Sequence, residues 1–313
     1  MRRALVTGST GFIGTWLTRD LVKKGIEVYA LVRRGSGKLA SLSELDARVV
    51  ECDMREYSEL PDIIKARDID AVFHIAWNGV TGVNARDQLV QLKNVQHTLD
   101  LVDSARRMDI PTFVGAGSLH ELEAMVEMSY DKVVTNLGLM YKTAKLAAHW
   151  MAKAKAGAYG LRFFWPLINT YGEGEESPRL INSVIRSVYK GESPALSQGS
   201  QIYDFVHVED VARAMRYIAE SGIDGSNYTI ESGEGKPLRE YLEVVGRIAN
   251  EVRGGDSVPL GFGALPSSQV VCLDRSVFDT EELKKHTGFK PRISFDEGVY
   301  RTAIWIRDHA EKA

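Results

Sequence analysis

Apolar residues follow two rhythms in the first half of this chain. Short runs fall at 4–6, 27–32, 48–52, 71–76, 112–117 and 159–164. Runs of that length, bounded by turn residues, read as buried strands. Between them apolar residues recur at three- and four-residue spacing. The clearest stretch is 86–108, with Leu89, Leu92, Val95, Leu99 and Val102, and another covers 139–156. Such spacing predicts helices with one apolar face. Short strands alternating with helices pair in parallel through right-handed crossovers, so the expected fold class is α/β, a doubly wound parallel sheet.

After Pro166 the rhythm breaks. Residues 169–178 are rich in turn formers. A helix is expected over 180–190, a strand over 204–208, and a helix capped by Glu209-Asp210 that runs to about 220. A short strand follows at 227–230, and the tail, 279–309, reads as helices around one proline turn. No repeat or low-complexity linker divides the chain. The expected organisation is a nucleotide-binding unit, 1–165, to which 205–235 returns, and a smaller substrate-binding lobe made of 166–204 and 236–313.

The first strand runs into Thr7-Gly8-Ser9-Thr10-Gly11-Phe12-Ile13-Gly14, followed by an amphipathic stretch closed by Gly25. A strand, a glycine turn and a helix start make a phosphate cradle. Gly8 permits the turn, Gly11 lets a pyrophosphate approach the backbone, and Gly14 lets the helix pack on the sheet. The helix start offers free N–H groups and partial positive charge to the anion, with Thr10, Phe12 and Ile13 around it.

Bulk properties narrow the partners. The 313 residues are 44% hydrophobic and 26% charged, ordinary for a globular protein, and the net charge of −3 comes with no basic block. Nucleic acid is therefore not an expected partner. No apolar run approaches the ~20 residues of a membrane span, and the start reads as a strand rather than a signal peptide. Cys52 and Cys272 lack CxxC partners and read as reduced thiols of a cytoplasmic protein. Seven scattered histidines suggest no metal site.

In an open parallel sheet, ligands bind beyond the carboxyl ends of the strands. Those positions are the cradle, Arg33 and Arg34, Asp53 and Met54, Ala76 and Trp77, Ser118, and Trp165. An acidic residue ending the second strand would hold a ribose 2′-hydroxyl. Here Val32 stands there with two arginines after it, which suits a 2′-phosphate. The expected cofactor is NADP, with NAD as the alternative. Asp53 fits an adenine amino group, a helix cap, or both.

Tyr141 and Lys145 lie four apart and share a helix face. Moving a phenol from its usual value to near 7 takes about 3 units, roughly 4 kcal/mol. A nearby ammonium and a positive nicotinamide ring give a field of the right sign. With Ser118, they form the expected catalytic group.

Taken together, these features resemble the extended short-chain dehydrogenase/reductase family, and within it the nucleotide-sugar epimerases, dehydratases and 4-keto reductases. The glycine motif, Val72-Phe73-His74-Ile75-Ala76, Asn94-Val95 with Thr98, Tyr141-x-x-x-Lys145, Asn169-Thr170-Tyr171-Gly172 and Asp204-Phe205-Val206-His207-Val208-Glu209-Asp210-Val211-Ala212 carry the resemblance over almost the whole chain. It implies a Rossmann sheet and a mechanism. Tyr141 exchanges a proton with a sugar hydroxyl while hydride passes between that carbon and the nicotinamide. Lys145 holds the nicotinamide ribose, and Ser118 bonds the reacting oxygen. Asn94, His120, Asn169, Arg179 and Tyr203 fall on the substrate side. The family often dimerises through the helices bearing Asn94 and Tyr141, so a homodimer is expected.

Departures bear on the substrate. Dehydratases of this family carry Asp-Glu after the Ser/Thr, and here Leu119 and His120 stand there, which speaks against 4,6-dehydration in its usual form. His120 is either an acid near neutral pH or a structural histidine. Tyr203 replaces an arginine that clamps the substrate diphosphate in relatives, and 267–274 lacks another. Arg179 or Arg275 is a candidate substitute. Trp165 replaces a polar residue and suggests stacking or a narrower pocket. The leading reading is an NADP-linked 4-keto reductase or C4 epimerase of a nucleotide-activated hexose. The alternatives are a carbonyl reductase of the dihydroflavonol or cinnamoyl-CoA reductase kind and a non-catalytic NADP-binding regulator.

Overall fold

Six short strands form one parallel sheet in a computed structural model that describes residues 1–128, 137–265, 271 and 273–309. They are β1 (Arg3–Thr7), β2 (Glu27–Val32), β3 (Ala47–Glu51), β4 (Ala71–His74), β5 (Thr112–Gly115) and β6 (Arg162–Phe164), in the order β3-β2-β1-β4-β5-β6. The first-half helices are α1 (Phe12–Lys23), the single turn α2 (Leu60–Ile63), α3 (Gln88–Arg107), α4 (His120–Glu127) and α5 (Leu139–Tyr159).

Alternation along the strands sorts the core into two layers. Ala4 and Val6 join Phe73, Val114 and Phe164 on the face covered by Leu17 and Leu21 of α1. Leu5 joins Val72, Phe113 and Phe163 on the face covered by α3 and α5. Ala144, Ala148, Ala152 and Ala156 fall every fourth residue on α5, and their small side chains let the helix lie close to the sheet.

The second half builds β7 (Leu167–Ile168), β8 (Thr170–Tyr171), α6 (Leu180–Tyr189), β9 (Ala195–Leu196), β10 (Ile202–Tyr203), β11 (Val206–His207), α7 (Val208–Ser221), β12 (Thr229–Ile230), β13 (Lys236–Pro237), α8 (Leu238–Arg253), β14 (Gly261–Phe262), α9 (Glu281–Thr287) and α10 (Phe295–His309). Its strands pair only two by two: β8 with β11, β7 with β12, β10 with β13 and β9 with β14. Helix α7 packs on α1, and its Val211, Ala212 and Met215 join the first core layer. Helices α6, α8 and α10 enclose a separate core around Tyr171, Phe205 and Tyr241.

Three expectations shift. The last strand begins at Arg162 rather than 159, because α5 runs on to Tyr159 and closes on Gly160 at φ 71°. Only Val206 and His207 of 204–208 are in a strand. The cap of α7 is His207, whose Nδ1 accepts from the Glu209 N–H (3.3 Å), with Glu209 and Asp210 in the first turn. Cys52 is a buried free thiol, pushed by burial up to about 12, whereas Cys272 and most of 267–274 lie outside the described residues. Among the described residues no helix is long and apolar enough to cross a membrane.

Candidate active site

The strand order reverses between β1 and β4, and the carboxyl ends there form an open rim. At β1, Gly8 turns at φ 66°, and a side chain on it would run into the Ala76 backbone. A Cβ on Gly14 would lie 2.0 Å from the Gly8 carbonyl oxygen. Gly11 caps α1 without a side-chain hydrogen bond, and the first turn has no acidic residue. Thr10, Phe12 and Ile13 are half-buried around the exposed Gly11. The helix start is thus an unfilled set of N–H donors, which fits a pyrophosphate.

At the end of β2, Val32 is buried and Arg33 and Arg34 are exposed. Arg34 pairs with Glu56 (3.1 Å), and Arg33 has no ion pair among the described residues. Asp53 caps the turn Met54–Glu59 through a reciprocal capping box with Glu56. Burial raises its pKa, but hydrogen bonds from the Arg55 side chain and backbone outweigh that and leave it lowered. Met54 is half-buried on that turn.

A buried polar chain shapes the end of β4. Thr98 Oγ1 donates to the Asn94 carbonyl (2.8 Å), so it accepts from His74 Nε2 (3.0 Å), and His74 Nδ1 accepts from Thr7 Oγ1 (3.0 Å). Thr7 Oγ1 in turn accepts from the N–H groups of Ile75 and Ala76, both at 3.1 Å. Burial lowers the His74 pKa to about 3, so the ring is neutral, as this chain of bonds requires. Asn94 is wholly occupied by the Asn78 backbone, accepting its N–H (3.0 Å) and donating to its carbonyl (2.7 Å). Gln91 accepts from Trp77 Nε1 (3.0 Å). Helix α3 therefore pins the loop that carries Ala76 and Trp77, and the Trp77 ring lies 3.8 Å from Lys145 Nζ.

Ser118, Tyr141 and Lys145 come together beyond β5, all nearly buried. Lys145 donates to the Ala116 carbonyl (2.8 Å), and Tyr141 hydrogen-bonds Ser118. Burial lowers the Lys145 pKa to about 7, with Glu121 opposing and Arg179 assisting. Burial raises that of Tyr141, Arg179 and the Ser118 bond pull it back, and Glu121 adds to the rise. The net direction keeps the phenol protonated, a proton donor at rest.

Two carboxylates that sequence reasoning passed over organise this corner. Glu121 is buried; its Oε1 accepts from Ser118 N–H (2.9 Å) and Trp165 Nε1 (3.0 Å), and Oε2 meets His149 Nδ1 (2.9 Å). Glu123 takes His120 Nδ1 (2.7 Å), Lys142 Nζ (2.8 Å) and the Tyr203 hydroxyl (2.7 Å). Burial works to raise the Glu123 pKa, but His120 and Lys142 outweigh it and bring it to about 2. Ser118-x-x-Glu121 is a capping-box spacing, the signal that locates Glu121. Trp165 lies against β5 so closely that a Cβ on Gly115 would meet its ring at 2.0 Å.

Other substrate-side residues are more dispersed. Arg179 pairs with Glu175 (2.8 Å) ahead of α6, near enough for its charge to act on Tyr141 and Lys145. Asn169 gives its amide to the Asp204 carbonyl (2.6 Å). Among the described residues no cluster of His, Cys, Asp or Glu could hold a metal ion.

Comparison with known proteins places this geometry. Residues 4–230 match the NAD dependent epimerase/dehydratase family. The chain is 25% identical over 346 residues to dTDP-glucose 4,6-dehydratase of Neisseria meningitidis serogroup B, covering 99% of this chain and 94% of that one. Its fold is similar to UDP-glucose 4-epimerase of Thermotoga maritima with UDP-glucose (TM-score 0.79, 22% identity, 98% and 99% of the two chains). It is also similar to the Thermus thermophilus UDP-glucose 4-epimerase complex with NAD (TM-score 0.75, 22% identity, 97% and 99%). With the cradle at β1, the Tyr-x-x-x-Lys pair on α5 and a family match spanning both, this chain is a member of the NAD dependent epimerase/dehydratase family.

Proposed function

We propose that this chain transfers hydride at a hydroxyl-bearing carbon of a nucleotide-activated hexose, as a 4-keto reductase or C4 epimerase, with NADP as the preferred cofactor. The observation that carries the reading is the meeting of Tyr141, Ser118 and Lys145 on the same strand-end rim as the open start of α1. The names of relatives, which act on dTDP-glucose or UDP-glucose, support the substrate class.

A bound nicotinamide cofactor supplies the hydride acceptor or donor and a positive ring charge in its oxidised form. This chain's residues do the rest. Ser118 and Tyr141 hold the substrate oxygen. The raised Tyr141 pKa makes the phenol the proton donor for reduction. Lys145, held by Ala116 and by the indole of Trp77, serves the cofactor ribose. The cradle of Gly8, Thr10, Gly11, Phe12, Ile13 and Gly14 takes the pyrophosphate. Arg33, exposed and without an ion pair, is the anchor for a 2′-phosphate, while Arg34 is engaged by Glu56. Asp53 and Met54 lie on the adenine side, and Ala76, Trp77 and Trp165 on the nicotinamide side.

Arg179 is the cation available to a substrate diphosphate. Tyr203 gives its hydroxyl to Glu123 and offers no charge. That observation favours a second reading, a carbonyl reductase whose substrate lacks a diphosphate. Exposed apolar side chains on α3 and α5, among them Leu92, Trp150 and Met151, support a homodimer through those helices, checked by sedimentation.

The deciding experiment follows reduced-nicotinamide absorbance with NADPH and a panel of nucleotide 4-keto-sugars and simple ketones. Decay with the keto-sugars alone supports the main reading, and decay with simple ketones alone supports the second. Cofactor binding without decay leaves a regulator. Tyr141→Phe is expected to lower kcat at least about 100-fold while cofactor affinity stays within about twofold.

A further inference from the structure

We propose that His120, oriented by Glu123, is a second proton-transfer residue of this site and acts on the carbon beside the reacting carbonyl. The inference rests on the reading of Tyr141 and Ser118 as the carbonyl end of the pocket.

His120 opens α4, two residues after Ser118, whose hydroxyl oxygen accepts the His120 backbone N–H (3.3 Å). The His120 side chain is 49% exposed, whereas its partner Glu123 is 7% exposed. Lys142 and the Tyr203 hydroxyl also donate to Glu123, so this buried group is held as a carboxylate. A carboxylate has no hydrogen to give. His120 Nδ1 therefore donates across the 2.7 Å contact, and the neutral ring carries its lone pair on Nε2. Nε2 has no partner among the described residues. The ring centre lies 6.0 Å from that of Tyr141, at 82°. One nitrogen is thus fixed from below by a buried charge, and the other is left free beside the phenol. This is the arrangement of an oriented base whose charged form is stabilised as it develops.

The step it performs balances as follows. In a ketone whose oxygen is held by Ser118 and Tyr141, the adjacent C–H is acidic. Nε2 takes that proton, the C–H electron pair becomes the C=C of an enolate, and the carbonyl π pair moves to the oxygen. The imidazolium keeps its Nδ1–H on Glu123. Return of a proton from Nε2 to carbon restores the ketone. No oxidant or reductant is consumed.

The test uses the full-length protein with dTDP-4-keto-6-deoxyglucose in deuterium oxide, reading deuterium at the carbons flanking the ketone by mass spectrometry and proton NMR. The wild type is expected to speed exchange above the buffer rate. His120→Gln is expected to reduce the enzymatic part at least about 100-fold, and Glu123→Gln about tenfold. Exchange that persists undiminished in His120→Gln, or absence of wild-type exchange, overturns the proposal. NADPH consumption by the same ketone is followed in parallel. Exchange without consumption overturns the hydride reading and leaves His120 standing, and consumption without exchange does the reverse. A substrate-independent measurement closes the case: 15N NMR of the His120 ring is expected to show the proton on Nδ1 in the neutral form. A proton on Nε2 instead overturns the assignment.

Discussion

Helices α1 and α4 both begin at the carboxyl end of a central strand, and the sequence treats their starts in opposite ways. At α1 a glycine caps the helix, no side chain takes its N–H groups, and no acid enters the first turn. At α4 Glu121 reaches back to the Ser118 N–H, and Glu121 and Glu123 both lie in the first turn. The first start is open to an external anion, and the second has supplied its own. The difference assigns work to each end of the rim. Phosphate belongs at β1. At β5 internal carboxylates orient Ser118, Trp165 and His120, and their negative charge turns a phosphate away.

The largest expected effect comes from closing the open end. Gly14→Ala drives a Cβ into the Gly8 carbonyl, and overpacking against backbone costs on the order of 3 kcal/mol or more. Isothermal titration with NADPH and NADH should show both cofactors lost together, and unaltered binding would break the assignment of phosphate to this start.

The next effect comes from neutralising the closed end. Glu121→Gln places an amide NH2 where Ser118, Trp165 or His149 already donates, which costs about 1–3 kcal/mol as an unsatisfied buried donor. A lowered melting temperature checks this. Glu121 also holds the pKa values of Tyr141 and Lys145 up. Removing its charge lowers both. For oxidation, which needs the phenolate, the acid limb of the pH–rate profile should move to lower pH. Lys145, already near 7, should lose more of its positive charge at neutrality. An acid limb that moves to higher pH would contradict the field described here.

Arg33→Ala sharpens the comparison least. It should weaken NADPH about tenfold, about 1.4 kcal/mol, and leave NADH nearly unchanged. Equal loss of both would remove the preference for NADP.

The sheet was legible because its strands are short apolar runs fenced by turn residues, and 27–32 is a strand in both the pattern and the coordinates. The cradle was legible because glycine spacing reports backbone approach directly. The smaller lobe was less so. Helix α8 was not expected, although Leu238, Tyr241, Leu242, Val245 and Ile248 recur at helical spacing and are buried. Glu121 and Glu123 were hidden for a physical reason. An acid in the first turn of a helix ordinarily faces water, and nothing local says that Trp165, His149, Lys142 and Tyr203, distant in sequence, fold over these two. Asn94 lay in a motif, but its partner, the Asn78 backbone, is a tertiary fact.

Trp77 has a consequence for how this protein can be watched. Its indole rests on the Lys145 ammonium and meets the Tyr141 ring edge-to-face, 6.2 Å between centres. Indole emits in the band where reduced nicotinamide absorbs. A dihydronicotinamide docked beside Tyr141 would therefore quench the light of Trp77 and emit in its place, giving the chain an internal optical gauge of its own redox state.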